Sequence, residues 1–371
     1  MAPRTPAALL AGLVLAAVTA RASGDDASGA ASPSEDSCAL LQAPSRLASE
    51  TDEDSCTLFS KRGLEFSCDV RPQKDKSDAG TLLLETAARR EPGAVALLDL
   101  GMSHYVSDMA GRGDDAVVYV VTTALTDFVS HVLPKVNTTF KLVTGDAIKT
   151  PVKALGAEGF RQLVDDPRVV RWFAQNCADG EDEHPKVVPV PLGIDYHTLK
   201  QKRTRWGPKS TPKEQERLLL ETARQAPGLE ARDGKVFFAG LGSSQERQRI
   251  IWQLMSQRGL VTTKPPHMKR ADFWAETAKH RFVASPPGAG MDSHRTWEVI
   301  ALGGIPLVGP SLRRLYTDNH FNVVMLEADE WRNLSSPAVQ RKMGEAVARH
   351  TGGIPPAMTL QYWVDKIRSP A

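Results

Sequence analysis

The chain reads as an α/β protein of two lobes with a cleft between them. Two series of short apolar runs alternate with helix-like stretches, and each series predicts a parallel sheet carrying helices on its faces. A charged, proline-bearing stretch without periodicity, residues 200–212, separates them. At 371 residues the chain is long enough for each half to bury its own core.

Taken in order, Arg4 precedes an uncharged stretch, residues 5–20, rich in Ala, Leu and Val, with small residues offering cleavage after Ala20 or Ala22. This is the pattern of a secretory signal peptide (residues 1–22), with an uncleaved anchor as the alternative. Residues 23–75, rich at first in Ser, Asp, Ala and Pro, read as a flexible stem or pro-region. Import into the secretory pathway gives meaning to the sequons at Asn137-Thr138-Thr139 and Asn333-Leu334-Ser335. It also permits disulfides. Among Cys38, Cys56, Cys68 and Cys177 there is no Cys-x-x-Cys pair and no His at ligand spacing, which disfavours zinc. Three pairings are open, and Cys56–Cys68, which closes a short loop, is the one expected.

The N-terminal lobe is placed at 76–199. A helix-like stretch at 81–90 precedes an apolar run at 94–98, and AVVYVV at 116–121 is a buried strand. A helix at 125–132 leads to a strand at 140–144 that ends in Gly145-Asp146. A helix at 159–164 leads to a strand at 169–174 that runs to Asn176. The last strand, 186–191, ends in Gly193-Ile194-Asp195. After the linker at 200–212 the C-terminal lobe, 213–352, opens with a helix at 213–225 and a strand at 235–239. The turn Gly240-Leu241-Gly242-Ser243-Ser244 and helices at 245–257 and 271–279 follow. Next come a strand at 282–285, a helix at 292–302, strands at 305–308 and 323–326, and a helix at 337–350. A helix at 358–368 lies in the C-terminal segment, 353–371. The pattern is that of two Rossmann-like lobes.

Composition excludes some functions. Net charge of +2, with 24% charged residues, leaves no electrostatic footprint for nucleic acid. The cluster KQKRTR at 200–205 reads as a solvated loop or a local anion contact. No Gly-x-x-x-x-Gly-Lys-Ser/Thr loop and no Gly-x-Ser-x-Gly elbow appear, which argues against P-loop enzymes and serine hydrolases.

Chemistry concentrates in RFVASPPGAGMDSHRTWEVIALGGIPLVGP, residues 281–310. A strand feeding a glycine loop and then a helix N-terminus offers free N–H groups to a phosphate. Side chains at Gly288 and Gly290 would block that approach. Arg295 and Glu298 lie one turn apart. They are either an ion pair or a diphosphate clamp with a carboxylate for ribose hydroxyls. Asp292 or Ser293 is the helix N-cap or a ligand contact, and His294 touches ligand or hydrogen-bonds Glu298. Arg247 or Arg249, after Gly242, reaches a pyrophosphate or sits on a helix surface. Asp146, Asn176, Asp195 and Ser285 close strands, where ligands gather in open parallel sheets, although Asp also caps turns.

SPPGAGMDSHRTWEVIALGGIPLV resembles the donor-binding signature of exostosin-like glycosyltransferases, which run Ser-Pro-x-Gly-x-Gly-x-Asp-x-His-Arg-x-Trp-Glu and then Leu-Gly-x-Ile-Pro. LVTGD (142–146), RWFAQN (171–176) and KVVPVPLGIDYHTL (186–199), ahead of Trp206-Gly207, resemble the same group. The resemblance covers residues 118–363 and leaves the signal and stem outside it. It implies the GT-B architecture, with a nucleotide-sugar, often a UDP-sugar, on the C-terminal lobe and a glycan or glycoprotein acceptor on the other. On that likeness Glu298 would bind ribose and Arg295 the diphosphate, in the Golgi lumen or after secretion. At 371 residues the sequence is shorter than animal exostosins, and on that likeness their additional C-terminal transferase domain is not expected in it. No Asp-x-Asp pair is placed for a metal, so none is implied and no cofactor beyond the donor. Asp195, Asp146 and His197, in that order, are the expected bases for the acceptor hydroxyl. A membrane partner is expected only with an uncleaved anchor.

Overall fold

The structure, a computed structural model, describes residues 56–72, 95–201, 203–239, 244–264 and 268–370. The signal segment, the stem as far as residue 55, the helix-like stretch at 81–90, Cys38 and Gly242 lie outside the described residues.

Helix α1 (Lys61–Phe66) comes first, then α2 (Val95–Arg112). The apolar run at 94–98 therefore enters a helix. In the N-terminal lobe, β1 (Ala116–Val121), β2 (Phe140–Gly145), α3 (Pro151–Asp165), β3 (Val169–Ala174) and β4 (Val187–Pro189) follow. The four strands form a parallel sheet in the order β1-β2-β3-β4. Every residue of β1 and β2 is buried, as a parallel sheet covered on both faces requires. Lys141 joins them because its ammonium donates to the Ser369 carbonyl, 2.7 Å away.

Helices α4 (His197–Gln201) and α5 (Pro212–Gln225) carry the chain into the second lobe. A capping box at Thr211 and Glu214 starts α5. The second lobe contains β5 (Asp233–Ala239), α6 (Gln245–Met255), β6 (Val261–Lys264), α7 (Arg270–Thr277) and β7 (His280–Ala284). It continues with α8 (His294–Ala301), β8 (Ile305–Val308), α9 (Arg313–Thr317), β9 (Val324–Met325) and α10 (Pro337–Ala348). Its sheet is also parallel, in the order β6-β5-β7-β8-β9. Two Rossmann-like parallel sheets are thus present.

The stem expectation fails for residues 56–72. Leu58, Phe59, Leu64 and Val70 are buried. This strap pairs with the far end of the chain, Phe59 N–H donating to the Met358 carbonyl (2.8 Å) and Leu360 N–H to that of Thr57 (2.9 Å). It then reaches β1, where Tyr119 N–H donates to the Val70 carbonyl. The terminal helix α11 (Leu360–Arg368) packs with it, Phe59 meeting Trp363 edge-on at 5.7 Å. The buried Glu216 carboxylate on α5 accepts from Thr57 N–H, Thr57 Oγ1, Leu58 N–H and Tyr196 Oη.

The Cys56–Cys68 bridge is not formed. Cys68 is a free thiol whose Sγ donates to the Leu64 carbonyl at 3.3 Å, one turn back on α1. Burial pushes its pKa up, so it behaves as a small core side chain.

Candidate functional site

The strands of the two sheets deliver their loops to a cavity of about 420 Å³ lined from both lobes. From the N-terminal lobe come Asp146, at the end of β2, Asn176, just past β3, and His197, opening α4. From the C-terminal lobe come Gly288 and Gly290 of the loop after β7, Asp292 and His294 at the start of α8, and Arg247 in the first turn of α6.

The loop holds its shape through its neighbours. Arg247 Nε donates to the Pro287 carbonyl (3.0 Å) and Nη2 to that of Pro286 (2.7 Å). A Cβ on Gly288 would stand 2.9 Å from Arg247 Nη2, and one on Gly290 2.9 Å from Asn176 Oδ1. Asn176 crosses between lobes, accepting from Asp292 N–H (2.9 Å) while donating to the Ala147 carbonyl (2.7 Å). The Asp292 carboxylate answers in the other direction, accepting from Leu192 N–H at 2.7 Å as well as from Ser293 N–H and the Trp297 indole. Burial raises the Asp292 pKa to about 7. It is an interlobe fastener at the head of α8.

His294 Nδ1 lies 2.6 Å from the Gly193 carbonyl, which makes it the protonated nitrogen and leaves Nε2 an acceptor. Burial lowers its pKa to about 4, so the ring is neutral at pH 7. His197, on the opposite wall, has its ring centroid 6.1 Å away. Its Nδ1 is 2.6 Å from Asp195 Oδ1, off the line of a straight hydrogen bond. Asp195 also accepts from Thr198 N–H and pairs with Arg270 of α7 at 2.7 Å. Burial alone would raise the Asp195 pKa, but the His197 contact, His294 and Arg270 hold it well below the usual carboxylate range.

Three residues expected at the ligand are placed elsewhere. The Ser285 hydroxyl faces Thr296 Oγ1 at 2.8 Å between β7 and α8. Arg295 and Glu298 do not line the cavity, contrary to the expectation that both face the gap. Arg295 turns to the rings of Phe238 and Phe273, 5.6 and 5.2 Å from its guanidinium carbon. Glu298 is buried, and that burial raises its pKa, with Asp195 adding to the rise and Arg270 and Arg295 opposing it. Arg295 Nη1 is nonetheless buried without a hydrogen-bond partner. Burial, and then the neighbouring Arg247 charge, push its pKa down to about 10. Arg247 and Arg295 belong to the first turns of α6 and α8, where peptide N–H groups have no carbonyl partner inside the helix.

Sequence reasoning missed Lys61, which reaches the cavity from the strap and pairs with Asp146, and Arg270, which anchors Asp195. Ser60, the N-cap of α1, was the local signal available for Lys61. Among the described residues no group of three or more His, Cys, Asp or Glu is arranged to hold a metal ion.

The chain is similar to solved glycosyltransferases. An alpha,alpha-trehalose-phosphate synthase (UDP-forming) from Burkholderia vietnamiensis shares 10% identity at TM-score 0.34, over 77% of this chain and 76% of that one. The Burkholderia xenovorans enzyme in complex with glucose-6-phosphate shares 11% at TM-score 0.36, over 77% of each chain. An alpha-glucosyltransferase in complex with UDP and DNA shares 10% at TM-score 0.30, over 68% of this chain and 80% of that one. No protein-family model matches the chain, and no curated protein matches it in sequence.

Proposed function

We propose that the chain is an exostosin-like glycosyltransferase, moving a sugar from a nucleotide-sugar donor, a UDP-sugar, to a glycan or glycoprotein acceptor in the Golgi lumen. The observation that carries the donor half is the cavity wall made by Arg247, the loop with Gly288 and Gly290, and the head of α8. Burial lowers the pKa of the Arg247 guanidinium, and an anionic partner in the cavity favours its charged form. A diphosphate is such a partner, with oxygens in the geometry a guanidinium fork prefers. As the bond from the anomeric carbon to the diphosphate breaks, the developing charge falls to Arg247 and the first turn of α8.

On the acceptor side Asp195 and Asp146 are both occupied by cations, so His197 is the base. It takes the proton of the acceptor hydroxyl while that oxygen bonds to the anomeric carbon, and Asp195 is its positioning residue. The exposed Asn137 and Asn333 suit a lumenal protein; no described helix is long and apolar enough to cross a membrane.

Thermal melting tests the donor site. UDP at a hundred times its Kd should stabilise the protein by about 2.7 kcal/mol, and Arg247→Gln should reduce that shift. If UDP, GDP and CMP all leave the melting temperature unchanged, donor binding is wrong. The commitment of both aspartates to cations also favours a second reading, a non-catalytic glycan- or nucleotide-binding relative. Slow hydrolysis of a nucleotide-sugar that His197→Asn abolishes, with UDP stabilisation kept, separates the enzyme from that relative.

A further inference from the structure

The N-terminal-lobe wall of the cavity carries side chains that the transfer step does not use. Lys61 pairs with the Asp146 carboxylate, and Arg62 Nη2 lies 3.6 Å from its other oxygen. Lys61 and Asp146 line the cavity with 12% and 8% of their side chains exposed. Beside them Ile148, also lining it, is 60% exposed. One hydroxyl at this wall, Thr123 Oγ1, is buried without a hydrogen-bond partner. Asp146 and Asn176 end neighbouring strands and hold φ of 57° and 52°. Asp and Asn bear that left-handed backbone at modest cost, and such conformations gather at ligand sites.

These features match the two surfaces of a pyranose ring. Its hydroxyls both donate and accept, so a carboxylate beside an ammonium takes adjacent hydroxyls, one accepting and the other donating. Its C–H face needs an apolar cover, and an isoleucine standing out of a polar wall supplies one. Because Asp146 offsets Lys61 and Glu65 offsets Arg62, the wall carries no excess positive charge for an anionic sugar.

We propose that Lys61, Asp146 and Ile148 form the subsite for the terminal sugar of the acceptor, a neutral pyranose bearing adjacent free hydroxyls. The proposal rests on the transferase reading above and deepens it. It gives the strap at 56–72 a part in substrate selection, since that strap brings Lys61 to the cavity.

The test is a titration of the UDP-saturated full chain, labelled with carbon-13 at isoleucine methyl groups, with methyl glycosides of glucose, galactose, mannose and xylose. Ile148→Val assigns the signal. At least one neutral glycoside should move the Ile148 methyl resonance saturably, while the methyl glycoside of glucuronic acid binds more weakly. Lys61→Met should weaken binding about tenfold, as loss of a charged hydrogen bond does. Should Lys61→Met fail to fold, Ile148→Ser, at an exposed position, decides by saturation-transfer signal, which should fall. The proposal is overturned if no neutral glycoside moves the methyl, if the uronide binds as well, or if the variants bind as the parent does. Melting with UDP is read separately, so a sugar shift without UDP stabilisation sinks the donor reading and leaves the subsite standing.

Discussion

Individual residues around the cavity are set by close approach more than by contact energy. Gly193 is the sharpest case, with φ of +74° and the Phe59 carbonyl oxygen 2.4 Å from where a Cβ would stand. Both Ile194 N–H, bonded to that carbonyl (2.9 Å), and the Gly193 carbonyl, bonded to His294, fix this peptide in place. Gly193→Ala should therefore cost roughly 3 kcal/mol, from left-handed backbone and overpacking together, measured as a lower urea midpoint. A loss below a few tenths of a kcal/mol would show that the strap gives way instead. The sequence placed Gly288 and Gly290 in a loop between a strand and a helix, and both border the cavity. It did not show that Asp292 and His294 bond across the lobes to Leu192 and Gly193. It could not show that Arg295 and Glu298 turn inward. One helical turn offers several directions, and the aromatic rings that attract Arg295 come from β5 and α7, about 57 and 22 residues away in the chain.

Elements show the same division between local and remote information. The strands Ala116–Val121, Val169–Ala174 and Ile305–Val308 match the sequence reading end to end, since uninterrupted apolar runs bounded by turn residues identify buried parallel strands. The strap at 56–72 escaped that reading because its partners lie at Met358, Val117 and Glu216. Nothing in its own composition records them. Its attachment hangs on Glu216, whose carboxylate gathers four donors. Glu216→Ala leaves those donors without their acceptor, and stability should fall by about 3 kcal/mol or more. Limited proteolysis should then cut the variant within 56–72 well before the parent. Equal resistance and an unchanged melting temperature would mean that α11 alone secures the strap. Lys61 rides on this segment, so sugar binding should weaken along with it.

At the scale of the whole molecule, the lobes are joined across the cavity floor by two titratable groups with opposing habits. Asp292 of the C-terminal lobe accepts from Leu192 N–H, and His294 donates to the Gly193 carbonyl. Burial lifts Asp292 from 3.8 to about 7 and lowers His294 from 6.5 to about 4. From about pH 4 to 7 the folded protein keeps a proton on Asp292 that the unfolded chain has released, so this group makes stability fall as pH rises. From about pH 4 to 6.5 the unfolded chain binds a proton on His294 that the folded protein refuses, so this group makes stability rise with pH. The two slopes oppose each other through the same window, whereas Asp195, depressed by its cations, loses its contribution only at lower pH. Other titrating groups form a background common to all variants, so differences between variants isolate the pair. Relative to the parent, Asp292→Asn should steepen the rise of melting temperature between pH 4 and 6.5. His294→Gln should tilt the profile the other way, with melting temperature falling toward pH 7. Parallel profiles for all three proteins would show that neither group keeps its buried protonation state in the folded molecule, and that water reaches the cavity floor between the lobes.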